Sequence, residues 1–164
     1  MKIILLCASN ANQKALANKI HNKFKLDQIV VKIPEKIDLK KINFEKFFNK
    51  LEKLLASFLT LFKLRNTWFN MLNYYFDIYP DFPIEPKAYV TDINEIIVRK
   101  IIKNSKPDLV LISGTNLLKE EILIQINKYG KAMNLHTGIS PYIKGGPDCT
   151  YWALYLREFG LIGN

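Results

Sequence analysis

The chain has 164 residues, of which 49% are hydrophobic and 24% charged, with 7 Gly and 7 Pro. This length and balance are typical of one globular domain, residues 1–164, and exclude a disordered, fibrous or disulfide-dense protein. The net charge of +9 comes almost entirely from lysine, and it fits either a compositional bias that covers the surface with Lys or a face that attracts polyanions.

Nothing in the sequence predicts a membrane or secreted protein. The longest near-apolar stretch, residues 54–62, is far shorter than the roughly 20 residues that span a bilayer. Cys7 and Cys149 have no metal-like spacing and no disulfide framework, so we expect a cytoplasmic protein with two free thiols. His21 has no Cys, Asp or Glu at ligand spacing, which predicts a surface histidine and no metal site.

The first third of the chain predicts a strand, a helix and a second strand. Residues 2–8 form an apolar run typical of a buried parallel strand. Residues 10–24 carry apolar side chains at helical intervals, with Ser9 or Asn10 available as the N-cap. Residues 28–33 are β-branched and alternate with lysine, so the opening is a βαβ unit and the sheet is parallel.

The middle of the chain predicts a long helix, a second helix and an irregular loop. Residues 44–62 repeat apolar side chains every three or four positions, which favours a helix packed on the core over a helix lying on a membrane surface. Residues 68–75 are aromatic-rich and compatible with a helix. Residues 79–86 contain three prolines, which forbid a regular helix or ladder there.

The remaining chain continues to alternate strands and helices. Strands are predicted at residues 88–90, 109–113 and 132–136, and helices at residues 94–104, 118–129 and 151–159. Gly114 ends the middle strand, and Gly130 fits the C-cap of the helix before the last strand. The predicted fold class is therefore α/β: a Rossmann-like, open and mostly parallel sheet with helices on both faces.

Two polar residues at the end of the last predicted strand could carry chemistry. Asn134 and His136 are two positions apart, so strand alternation sends both side chains to the same side. The crevice beyond the carboxyl ends of parallel strands is where such sheets bind ligands. An amide can stabilise a developing oxyanion, and an imidazole can exchange a proton near neutral pH. By spacing alone, the pair is equally typical of a local hydrogen-bonding arrangement.

Three segments together resemble one enzyme family. Residues 134–145 follow the pattern Asn-x-His-x-Gly-x-x-Pro-x-x-Lys-Gly. This pattern resembles the active-site motif of the 10-formyltetrahydrofolate-dependent formyltransferases, which act on methionyl-tRNA, glycinamide ribonucleotide or amino sugars. Residues 106–118 resemble the family's strand and folate-binding loop, and Trp152-Ala153-Leu154 resembles the helix that follows the motif.

The resemblance implies the fold of the family's N-terminal domain, 10-formyltetrahydrofolate as co-substrate, and a role for each matching residue. Asn134 and His136 correspond to two members of the family's Asn-His-Asp catalytic set. The backbone that binds the pterin corresponds to Ser113, Gly114, Thr115, Asn116, Leu117 and Leu118. The substrate loop corresponds to Pro141, Tyr142, Lys144 and Gly145.

Departures from the family pattern bear on the acceptor. Lys144 stands where members usually have Arg, Gly138 where many have Ser, and Ser140 where many have Leu. The sugar-modifying branch more often tolerates Gly at the position of Gly138. The glycine-rich phosphate loop of the ribonucleotide branch is absent at residues 8–11. A nucleotide-linked amino sugar is therefore the preferred acceptor, with the aromatic loop 79–86 as a wall for its sugar or base.

The family's catalytic Asp lies in a later segment that has no counterpart before Asn164. Asp148 is read as a turn or N-cap residue rather than as that Asp. Formyl transfer by residues 1–164 alone is therefore expected to be very slow, because cooperating catalytic groups lose most of their rate when one is missing. The alternatives are methionyl-tRNA formylation, which predicts a basic cluster and an RNA-binding domain, and a non-catalytic folate-binding or interaction module.

Overall fold

Five parallel strands form a single sheet in the computed structural model, which describes residues 1–35, 54–55, 58, 62–136, 142 and 149–161. The strand order is β3-β2-β1-β4-β5, and every neighbouring pair is parallel. The predicted α/β, Rossmann-like fold is confirmed. The strands are β1 (Ile3–Ala8), β2 (Gln28–Lys32), β3 (Ala88–Val90), β4 (Leu109–Ser113) and β5 (Lys131–Asn134).

The helices alternate with the strands along the chain. Asn10 is the N-cap of the first helix through its backbone oxygen, which accepts from the N–H groups of Gln13 and Lys14; its side chain makes no capping bond. No helix within the described ranges is long and apolar enough to cross a bilayer. The helices are α1 (Ala11–Phe24), α2 (Lys63–Ile78), α3 (Ile96–Ser105), α4 (Glu120–Asn127) and α5 (Cys149–Tyr155), with a 3₁₀ turn at Phe159–Leu161.

The apolar strands are buried on both faces of the sheet, which explains their unbroken hydrophobic sequences. On one face, alternate residues such as Leu6 and Val110 pack against Ile102 of α3 and Ile126 of α4. On the other face, residues of opposite parity pack against Ala17 of α1 and against the loop before β3. α2 lies against α1. The connections thus place helices on both faces, as a doubly wound sheet requires.

Some predicted elements match the structure closely and others differ at their ends. The strands at 88–90 and 109–113 have the predicted bounds, and the helix predicted at 68–75 is the centre of α2. The helix predicted at 118–129 is shorter, and the strand predicted at 132–136 ends at Asn134. The helix predicted at 151–159 begins earlier, at Cys149, and ends at Tyr155. The helix predicted at 44–62 lies outside the described residues, except for Leu54, Leu55, Phe58 and Phe62.

Gly130 is needed for close packing rather than for a helix cap. The C-cap of α4 is Lys128, and the Gly130 N–H donates to the Ile126 oxygen at 2.9 Å. A Cβ at position 130 would lie 2.2 Å from the backbone oxygen of Asp108, a distance that no side chain tolerates. The absence of a side chain therefore lets the chain enter β5 against the turn that precedes β4.

Candidate functional site

The carboxyl ends of the strands meet where the chain order reverses. β1 lies between β2 and β4, so the chain winds outward through β2 and β3 on one side and through β4 and β5 on the other. Connections on opposite faces leave a crevice at such a switch point, and open α/β sheets bind their ligands there. Ser9 and Asn10 follow β1 at this edge, and Gly114 follows β4.

Gly114 sets the path of the loop after β4. Its φ is +68°, in the left-handed region that favours glycine. A Cβ there would lie 3.1 Å from the Gln13 Nε2 and 3.4 Å from the Ala8 side chain, so the loop passes close to the first turn of α1. The preceding Ser113 is buried at the end of the strand, opposite Cys7. The predicted pterin-binding loop therefore begins inside the switch-point crevice.

Side-chain amides join the loop after β4 to the loop after β3. The Asn116 Oδ1 accepts from the Ile93 N–H at 3.2 Å, and the Asn116 Nδ2 donates to the Asp92 Oδ1 at 2.7 Å. The Asn94 Nδ2 donates to the Leu117 oxygen at 3.0 Å, while the Lys119 N–H donates to the Asn94 Oδ1 at 2.7 Å. Residues 91–95 and 114–119 are called the paired loops below.

Two carboxylates accept hydrogen bonds from backbone N–H groups inside the first of the paired loops, residues 91–95. The Asp92 Oδ1 also accepts a hydrogen bond from the Asn94 backbone N–H at 2.8 Å. This bond has the largest effect on the pKa of Asp92 and the bond from Asn116 the next largest, and both hold that pKa below its ordinary value. The Glu95 Oε1 accepts hydrogen bonds from the backbone N–H groups of Asp92 and Thr91. Both bonds lower the pKa of Glu95, and the bond from Asp92 has the larger effect. Both side chains are therefore expected to be ionised at neutral pH.

The network defines what the predicted pterin-binding residues can offer. The Asn116 side chain is engaged by Asp92 and Ile93, and the predicted backbone contact of this loop with a pterin stays a prediction. The Thr115 hydroxyl donates to the Asn116 oxygen at 3.0 Å, and Leu117 is 92% exposed. Sequence reasoning missed Asp92 and Asn94, although a cluster of Thr, Asp, Asn and Glu after a strand is a signal for side chains that bind backbone.

Asn134 and His136 lie at the end of the neighbouring strand. Asn134 is the last residue of β5, in register with Ile112, and it is exposed. The Leu135 N–H donates to the Ile112 oxygen at 2.9 Å, so the chain still follows β4 for one more residue. His136 comes next and is partly buried. The sheet therefore brings both predicted catalytic residues to the same edge as the loop that follows β4.

His136 contacts a residue that the sequence analysis treats only as a free thiol. The Cys149 Sγ lies 3.3 Å from the His136 Nε2 and 3.9 Å from its Nδ1. Cys149 is the first residue of α5 and is fully buried. No sequence spacing indicates this contact, because the two residues belong to separate elements.

Of the other predicted residues, some lie within the described part of the chain and some lie outside it. Tyr142 is in a turn and 72% exposed, whereas Pro141, Lys144, Gly145 and Asp148 lie outside the described residues. His21 is partly buried, and its Nδ1 accepts from the Leu26 N–H at 3.1 Å, so it secures the end of α1. Within the described ranges, no three His, Cys, Asp or Glu side chains are grouped to hold a metal ion.

A cleft of about 400 Å³ opens beside the β1 end of this edge. The loop 79–86 forms one wall and is fastened to α1, because the Asn18 Nδ2 donates to the Asp81 oxygen at 2.9 Å and the Lys14 Nζ donates to the Pro80 oxygen. The Lys14 ammonium also lies 5.6 Å from the centre of the Phe76 ring. The cleft is lined by Ser9, Lys14, Asp81, Phe82, Glu85 and Tyr89, among others.

No protein-family model matches this chain, and no curated protein matches it at a significant level. The residues of the site itself are therefore the basis for a function. That site consists of a loop fixed at the switch point, an Asn and a His at the end of the neighbouring strand, and an open cleft beside the first helix.

Proposed function

We propose that this protein transfers the formyl group of 10-formyltetrahydrofolate to a substrate amine, and that the acceptor is a nucleotide-linked amino sugar. The observation that carries the proposal is the pairing of β4 with β5, which puts the Gly114 loop and the Asn134-x-His136 pair on adjacent strand ends. Neighbouring strands lie only about 4.8 Å apart. A donor held by the first element therefore presents its formyl group to the second.

The residues of the loop after β4 suit a flat pterin ring. Gly114 has no side chain, and the space that a Cβ would take is bordered by the Gln13 and Ala8 side chains, so the loop is held against the first turn of α1. The exposed Leu117 offers an apolar surface at the loop tip. The hydrogen bonds of Asn116 hold the loop in place before a ligand arrives, which reduces the ordering that binding has to supply.

Asn134 and His136 would act on the charge that develops during transfer. When bound, 10-formyltetrahydrofolate supplies an activated formyl group. The Asn134 amide and the protonated His136 would donate hydrogen bonds to the formyl oxygen, which becomes negative as the amine adds to the formyl carbon. His136 would also move a proton between the incoming amine and the departing folate nitrogen, because an imidazole can both donate and accept a proton.

The cleft supports an amino sugar nucleotide as the acceptor. Asp81 and Glu85 bring two carboxylates to it, which accept hydrogen bonds from hydroxyl and amino groups. Phe82 and Tyr89 add aromatic surface for a sugar or base. Ser9 follows β1, two strand spacings or about 10 Å from the end of β5. An extended acceptor can reach from the cleft to His136, whereas a small amine cannot fill both places.

The carboxylates of the cleft suit the hydroxyl and amino groups of a sugar, and phosphates, whether of a nucleotide or of a transfer RNA, have to lie outside it. Among the described residues that line the cleft, Asp81 and Glu85 are acidic, and Lys14 already donates to the Pro80 oxygen. A surface that binds RNA is expected to gather unpaired basic side chains along the phosphate backbone. Methionyl-tRNA formylation is therefore the weaker candidate for this chain.

The proposal is tested by an acceptor panel. The full-length gene product is incubated with 10-formyltetrahydrofolate and either a nucleotide-linked amino sugar, aminoacylated initiator tRNA or no acceptor. Release of tetrahydrofolate and the mass of the acceptor are measured. We expect formylation of the sugar amine alone. Formylation of the tRNA alone would replace the acceptor assignment, and folate binding without any transfer would favour the non-catalytic module.

A further inference from the structure

The cleft beside α1 differs in charge from the chain as a whole. The sequence carries 24 Lys and Arg against 15 Asp and Glu, for a net charge of +9. The described residues that line the cleft instead bring the carboxylates of Asp81 and Glu85 and the ammonium of Lys14. Lys14 donates to the Pro80 oxygen and lies over the Phe76 ring, and neither of these partners is among the residues that line the cleft. The charged groups left for a ligand are therefore hydrogen-bond acceptors.

The walls of the cleft are held in place by bonds within the protein. The Asn18 side chain donates to the backbone oxygen of Asp81, so this bond leaves the Asp81 carboxylate to the cleft. Tyr89 belongs to β3, whose backbone is fixed by its parallel pairing with β2. Tyr89 is 59% exposed, so its ring offers aromatic surface to a ligand. A site that is ordered in advance has less ordering to supply when the ligand binds.

Carboxylates beside an aromatic ring suit a flat ligand whose edge carries N–H groups. Carboxylates only accept hydrogen bonds, whereas aromatic side chains stack on any base. The cleft volume of about 400 Å³ is within the range of sites for small organic ligands. Within the described part of the chain, no third acidic, His or Cys side chain joins Asp81 and Glu85 to hold a metal ion. The cleft therefore suits the base of a nucleotide better than a metal ion.

The common bases differ in the hydrogen bonds that their outer edge offers. Guanine presents two adjacent donors, its ring N–H and its amino group, which can pair with both oxygens of one carboxylate. Uracil and thymine present one N–H between two carbonyl oxygens, which a carboxylate repels. Adenine and cytosine present an amino group beside a ring nitrogen that accepts. Guanine is therefore the base that best matches a cleft whose charged groups are carboxylates.

We propose that the cleft is a base-recognition site that selects guanine, with Asp81 and Glu85 as acceptors and Tyr89 as the stacking surface. This inference rests on the proposed function, because it makes the acceptor a guanosine-linked amino sugar. β3 and β5 are at opposite edges of the sheet, four strand spacings or about 19 Å apart. Only an extended molecule reaches from Tyr89 to His136. Its phosphates lie outside the carboxylates, where the net positive charge of the chain attracts them.

The test is calorimetric titration of the full-length gene product with GDP, UDP, CDP and ADP, in the absence of folate. We expect GDP to bind at least about tenfold more tightly than the other three. The double variant Asp81→Asn, Glu85→Gln should lose about 10–100-fold in GDP affinity and little in UDP affinity, because an amide donates as well as accepts. Tyr89→Leu should weaken all four nucleotides alike, because stacking does not depend on the base.

The matched control is the double variant Glu120→Gln, Glu121→Gln, which removes two exposed carboxylates from α4, outside the cleft, and should keep the preference for GDP. A preference for another nucleotide, equal affinities for all four, or an equal loss of GDP affinity in the control overturns the guanine assignment and leaves a nucleotide-linked acceptor in place. No binding of any of the four overturns that acceptor as well, while the donor is tested separately with folate. Circular dichroism confirms folding, and the wild-type preference decides if a variant does not fold.

Discussion

The paired loops and the end of β5 meet at the same edge of the sheet, but they are held in different ways. The paired loops are joined by hydrogen bonds from Asn116 and Asn94 to residues on the opposite loop. β5 is an edge strand whose residues are all exposed, and His136 beyond it contacts the thiol of Cys149. The paired loops are thus held by their own hydrogen bonds, whereas the position of His136, one of the two proposed catalytic residues, depends on how α5 packs.

Because the two regions are held differently, substitutions in each are expected to change a different measured quantity. A loop that is ordered before binding loses affinity when its internal bonds are removed, because the ligand must then order it. A group that acts on charge present only in the transition state loses turnover instead. Substitutions that separate affinity from turnover therefore test whether the two regions have the functions proposed for them.

The largest effect is expected from Asn134 and His136, the proposed catalytic pair. Asn134→Ala should lower turnover of the full-length gene product by roughly 10²–10³, as expected for one oxyanion donor. His136→Ala should also reduce turnover far more than it weakens folate binding, because the imidazole acts in the transition state. Rates and melting temperatures are measured on the same samples. Lower melting temperatures with an unchanged rate per folded molecule would show that the two residues only secure the strand end.

Substitutions at Gly130 and Gly114, where a side chain does not fit, should distinguish an effect on stability from an effect on folate binding. Gly130→Ala places a Cβ 2.2 Å from the Asp108 oxygen and should lower the free energy of unfolding by about 1–3 kcal/mol, without changing folate affinity, because it lies at the amino ends of β4 and β5. Gly114→Ala forces alanine to φ +68° and should cost about 1–2 kcal/mol, and it should also weaken folate binding. Denaturant unfolding and ligand titration measure the two effects. Equal folate affinities in the two variants would show that the ligand does not bind at the Gly114 loop.

A smaller effect is expected within the paired loops. Asn116→Ala leaves the N–H of the buried Ile93 without its acceptor and removes a donor from Asp92, which should cost about 1–3 kcal/mol. Thr115→Ala is the matched control, because its hydroxyl donates only to the neighbouring Asn116 oxygen. Hydrogen exchange at the Ile93 amide should become faster in the first variant and remain unchanged in the second. Unchanged exchange in both would mean that the loops are not coupled.

The smallest effect is a pH dependence of the paired loops. The lowered pKa values of Asp92 and Glu95 contribute stability that is present above the ordinary values of 3.8 and 4.5 and is lost as pH falls through the lowered ones. Unfolding measured from about pH 6 to about pH 3 should show this loss. Asp92→Asn should flatten the dependence, since an amide does not titrate there. A wild-type profile without this component would contradict the described bonds.

The sequence predicted what depends on burial and missed what depends on contacts between distant elements. β1 and β4 are buried on both faces, and such strands are visible as unbroken apolar runs. The bond from Asn116 to Asp92 joins two loops separated by a helix and a strand, and no local pattern indicates it. The same is true of the contact between His136 and Cys149. The exposed β5 has no core face, which explains why its predicted end was less accurate.

The central claim is that the loop after β4 binds a folate, and the most direct test is calorimetric titration of the folded chain with 5-formyltetrahydrofolate, a stable relative of the proposed donor. The account predicts a saturable heat for the wild type and for Gly130→Ala, and a weaker interaction for Gly114→Ala. An absence of heat at millimolar ligand, with folding confirmed by circular dichroism, would contradict the account.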